Sequence, residues 1–138
     1  MSLWSDQSVL AKCALLAQGD GVFPIVPGAH VARGFADVGY EEFALLPHAK
    51  LVSLFTGQLS DLRDDDRRFF FVVPTPDMIL QEVDRAGWDV VTVEHRDRRV
   101  WFVELVAAAS ARRVTGSGPT LLESLLAALI EMRHSVEE

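Results

Sequence analysis

Apolar positions along this chain change their period several times, and each change falls near a Pro, a Gly or a helix-capping residue. Val9, Leu10, Cys13, Leu16 and Ala17 recur every three to four residues, which predicts an amphipathic helix over 6–18, capped by Ser5 or Asp6 and stopped by Gly19-Asp20-Gly21. From Val22 to Tyr40 the apolar pieces are short and broken by Pro24, Pro27-Gly28, Gly34 and Gly39. That stretch reads as loop, with short edge strands at Val22-Phe23 and Ile25-Val26. Phe43-Ala44-Leu45-Leu46 reads as a strand ending at Pro47. Leu51, Leu54, Phe55 and Leu59 then fall at helical intervals, predicting a helix over 48–60 despite Gly57. Arg68 to Val73 is a continuous aromatic and β-branched run, the mark of a strand covered on both faces, and is expected at the centre of the sheet.

The second half is more sharply punctuated. Thr75 caps a helix over 75–86 with Pro76 at its first position, where a missing N–H is harmless, and Gly87 supplies the left-handed residue after its end. Its apolar stripe is Ile79, Leu80, Val83 and Ala86. Residues 89–95 and 99–106 alternate as a hairpin. Keeping Val91, Val93, Trp101 and Val103 on one face requires paired numbers summing to 194, hence an odd loop of three residues centred on Asp97. A further strand resumes near Arg112 to Thr115, Gly116-Ser117-Gly118-Pro119 reads as loop, and Thr120 with Glu123 forms a capping box for a last helix over 120–133. The expected fold is therefore α+β, a mainly antiparallel sheet of four or five strands covered by three or four helices. At 138 residues it is expected as a single domain, with 1–4 read as a tag or disordered segment and 135–138 as a frayed tail.

Composition narrows the function classes. The chain is 49% hydrophobic and 24% charged, which suits a globular core and excludes intrinsic disorder. A net charge of −7 argues against nucleic acid as a partner, because that affinity rests on Lys and Arg neutralising phosphates. The element order invites comparison with a double-stranded RNA-binding domain, but Thr120-Leu121-Leu122-Glu123 supplies none of the lysines that family uses. One cysteine precludes an internal disulfide. With no apolar run long enough for a bilayer, the expected localisation is cytoplasmic and no membrane partner is expected.

Candidate chemistry is sparse. Glu104 lies between apolar neighbours on one strand, and with His95 and the nearby arginines it is the catalytic candidate, since a desolvated carboxylate can act as a general base. The alternative for Glu104 is an ion pair with Arg112 or Arg113. Asp61, Asp64, Asp65 and Asp66 lack the alternation and Gly of a calcium loop and are read as a solvated turn with ion pairs to Arg63, Arg67 and Arg68. His30, His48, His95 and His134 show no zinc spacing, so no metal and no cofactor are expected. Cys13 sits on an apolar stripe, as inert core thiols do. Trp88, Leu122, Leu126 and Leu129 are the interface candidates, because the final helix carries a broader apolar stripe than one sheet face needs.

The segment Val72-Val73-Pro74-Thr75-Pro76-Asp77, the helix ending at Gly87-Trp88, the Val91/Trp101 hairpin and Gly118 to Leu125 together resemble small phage-derived α/β sandwich domains. The resemblance covers about half the chain. It implies a phage- or bacterium-encoded domain of uncharacterised activity and carries over no functional residue. On these grounds a protein-interaction or assembly module, acting as a homo-oligomer (dimer) or with a protein partner, is expected. The alternative is a small-molecule-binding protein or small enzyme built around Glu104 and His95.

Overall fold

A computed structural model describes residues 7–16, 23–35 and 39–137. They form an α+β structure in two compact units that meet in sequence at Val73–Pro74. The single sheet expected from the sequence is thus two antiparallel sheets, one of five strands and one of three. The Ser5/Asp6 cap and the Gly19–Gly21 stop lie outside the described residues.

The first unit opens with α1 (Gln7–Leu16), whose Val9, Leu10, Cys13 and Leu16 are buried as their spacing requires. Its sheet follows the order β4-β3-β2-β1-β5, from β1 (His30–Phe35), β2 (Gly39–Leu46), β3 (Lys50–Ser53), β4 (Leu59–Asp61) and β5 (Phe70–Val72). β1 lies in the stretch read as loop, because one six-residue strand holding Gly34 shows little alternation. The helix expected over 48–60 is a correction. Pro47-His48-Ala49 makes a tight turn with His48 and Ala49 both at positive φ, and Ser53 to Gly57 make the next one. There the Ser53 hydroxyl accepts from the N–H groups of Phe55 and Thr56, and the Gly57 N–H, at φ +75°, donates to the Ser53 carbonyl at 2.8 Å. Leu54, Phe55 and Leu59, counted as a buried helical stripe, are exposed on this hairpin.

β5 is buried on both faces but, among the described residues, pairs only with β1, at the edge of its sheet. Its continuous apolar run reports the covering of its faces and is silent on the number of its neighbours, which is why the central placement fails. Before it, Asp64–Phe69 form a 3-10 helix in which Arg67 pairs with Asp64 at 3.4 Å.

The second unit begins with α2 (Pro76–Arg85), capped by Thr75, whose hydroxyl accepts from the Met78 N–H at 3.4 Å. Gly87 follows it at φ +83°. Ile79 and Val83 are buried, whereas Leu80 and Ala86 of the expected stripe are exposed. The sheet has the order β6-β7-β8, from β6 (Trp88–Arg96), β7 (Val100–Ala107) and β8 (Arg113–Gly118). The β6–β7 loop has three residues as expected but is centred on Arg98, since Arg96 pairs with Val100 and Val93 with Val103. A bulge between Val90 and Thr92 then shifts the register.

Gly116 and Gly118 belong to β8, where they were expected in a loop. The reason is α3 (Leu121–Glu137): a Cβ on Gly116 would stand 2.3 Å from the Ala128 nitrogen and the Ser124 oxygen, so only bare backbone fits beneath the helix. α3 starts where the capping box predicts, with Thr120 accepting from the Glu123 N–H at 3.1 Å, and continues past 133 to Glu137.

Candidate interaction surface

Strand parity sorts the side chains of the second sheet. Trp88, Val90, Val93 and His95 of β6 lie across from Ala107, Leu105, Val103 and Trp101 of β7, and that face carries the buried core. Asp89, Thr92, Glu94 and Arg96 lie across from Val106, Glu104, Phe102 and Val100 on the opposite face. Glu104 and His95 therefore project from opposite sides of one sheet and do not line a common cleft. Glu104 accepts from Arg113 at 3.0 Å, one of the two arginines weighed for it. His95 stacks on Trp101, with centroids 4.3 Å apart and planes 7° from parallel. Arg96 donates to Glu94 at 2.6 Å while its guanidinium lies 4.2 Å from the Phe102 ring centre.

The interface candidates lie on β6 and α3. Trp88, Leu126 and Leu129 are buried and Leu122 is half-buried. The broad stripe on α3 is consumed by packing, because glycines at 116 and 118 seat the helix so low that more of its circumference is enclosed.

Exposed apolar surface is found instead on β6. Val90, Val91 and Val93 are 36%, 49% and 47% exposed on a nine-residue strand at the edge of its sheet. Among the described residues no strand pairs with its outer side. Edge strands invite added strands, and proteins ordinarily blunt them with Lys, Pro or bulges. β6 has the bulge, and neither Lys nor Pro. Alternation across its residues was legible, but its position at an edge was not, because sheet order is not written in any single strand. The first unit also shows exposed apolar side chains, at Leu54, Phe55 and Leu59.

Sequence reasoning missed a buried carboxylate in the first unit. Glu42, on β2, is 4% exposed, and its Oε1 lies 2.7 Å from His30 Nε2 on β1. The two atoms are close without the alignment of a hydrogen bond, so the contact is an ion pair when His30 is protonated. Burial, and then the Glu42 charge, push the Cys13 thiol up to about 12, which removes it as a nucleophile at neutral pH. The alternation of β2 gave no advance signal, because Glu42 is out of phase with the buried Phe43 and Leu45 of its strand.

Among the described residues no group of three or more His, Cys, Asp or Glu is placed to hold a metal ion, and no helix is long and apolar enough to cross a membrane. Comparison of the chain with protein-family models, curated proteins and solved structures finds no match.

Proposed function

We propose that this chain is a protein-interaction or assembly module whose contact surface in the second unit is the outer side of β6. The observation that carries the reading is the long edge strand with three exposed valines and an outer side that no strand pairs with among the described residues. An extended segment laid along it would gain main-chain hydrogen bonds, and the valines would gain apolar cover, the usual chemistry of strand addition. The resemblance of residues 72–125 to phage-type sandwich domains rests on packing motifs and is compatible with such a role. The enzyme alternative has less support, because Glu104 is held by Arg113 and His95 by Trp101 on the other face.

The test is a photo-reactive amino acid introduced at Val91 of the full chain in its native host. Discrete cross-linked protein species are expected, and Val93→Lys should weaken them by putting a charge on the face where the valines would gain apolar cover. A chain that stays uncross-linked in the light would overturn the reading.

A further inference from the structure

The geometry points to a second copy of this chain as the strand that pairs with β6, an inference that rests on the interaction reading above. The argument comes from self-complementarity. In an antiparallel pair, residues directly opposite each other share a face, so a strand pairs well with itself only if its pattern survives reversal. Stepping over the bulge residue Val91 in both copies and placing a two-fold axis on Val93 achieves this. Val93 meets Val93, Thr92 meets Glu94, Val90 meets His95, and Asp89 meets Arg96, each across the axis. Every pair falls on one face as the β6–β7 register assigns them.

Charge then selects the register. Moving the axis to Glu94 keeps the faces matched but sets the two Glu94 carboxylates against each other. Moving it to Thr92 sets Asp89 opposite Glu94 twice. Of these axes only the one on Val93 opposes unlike charges, at two symmetry-related Asp89–Arg96 pairs; an axis on His95 would set Glu94 opposite Arg96 but leaves only residues 94–96 of each strand to pair. Asp89 makes no ion pair among the described residues, and Arg96, already holding Glu94, has guanidinium donors to spare. An axis normal to the sheet joins the two three-stranded sheets into one of six and keeps both sets of helices on the same side. Val90, Val93 and His95 of each copy then cover those of the other.

Sedimentation velocity of the full chain, with variants, tests the proposal. The wild type should sediment at twice 15.3 kDa. Asp89→Arg and Arg96→Asp should each raise the dissociation constant by roughly tenfold or more while leaving the far-ultraviolet circular dichroism unchanged. Mixing these two variants should restore the dimer, because each supplies the charge the other lacks. A V93C chain leaves every charge intact and should form a covalent dimer on mild oxidation, with buried Cys13 taking no part. A dimer indifferent to both charge reversals, or folded variants that stay monomeric when mixed, would overturn the proposal. A monomeric wild type that still cross-links through position 91 to a different protein would refute the second copy and leave the interaction reading standing. Absence of any adduct would refute both.

Discussion

Cys13 illustrates how a buried group records its surroundings. Desolvation beneath the helix, followed by the nearby Glu42 charge, raises its thiol from 9.0 to about 12. A raised folded value means that the native state holds the proton more tightly. The stabilisation this brings is complete below pH 9.0 and disappears as the pH climbs towards about 12. Urea midpoints measured across that window should fall, and a Cys13→Ala chain should lose this part of the decline. In the native protein at pH 8 the thiol should resist a thiol-specific disulfide reagent that labels it fully in denaturant. Gly116 makes a steric prediction of the same locality. Gly116→Ala drives a methyl group into α3 backbone, which cannot rotate away as a side chain would, and a loss of about 3 kcal/mol or more in chemical denaturation is expected.

At the scale of elements, legibility followed punctuation. Thr75, Pro76 and Gly87 bracket α2, and the Thr120 cap starts α3, because capping chemistry is local and written in adjacent residues. The helix expected over 48–60 failed because two tight turns place apolar residues at intervals that imitate a helical stripe. Gly116 and Gly118 looked like loop because their role, admitting a helix from more than one turn further along the chain, is tertiary. The same blindness hid the Glu42–His30 pair, which only the β1–β2 ladder brings together. The β6–β7 loop makes a further test. Asp97 and Arg98 both sit at positive φ, 52° and 58°, a conformation that glycine adopts without strain and arginine does not. Arg98→Gly should raise stability by about 0.5–1 kcal/mol in thermal or urea unfolding, without altering the strands on either side.

For the molecule as a whole, the decisive fact is that strand pairing is confined to each side of the Val73–Pro74 bond: β1 to β5 pair among themselves, as do β6 to β8. This partition sets a timetable for synthesis. Every strand of the first sheet has been translated before residue 74, so that sheet can close while the ribosome is still making the second. Force profiling with an arrest peptide should register one folding event soon after Val73 clears the exit tunnel and a separate one after α3 emerges. A single late event would mean that the first sheet waits for the rest of the chain. Early closure would also shield the apolar run of β5, a type of stretch prone to aggregate on a nascent chain, before the exposed valines of β6 are made.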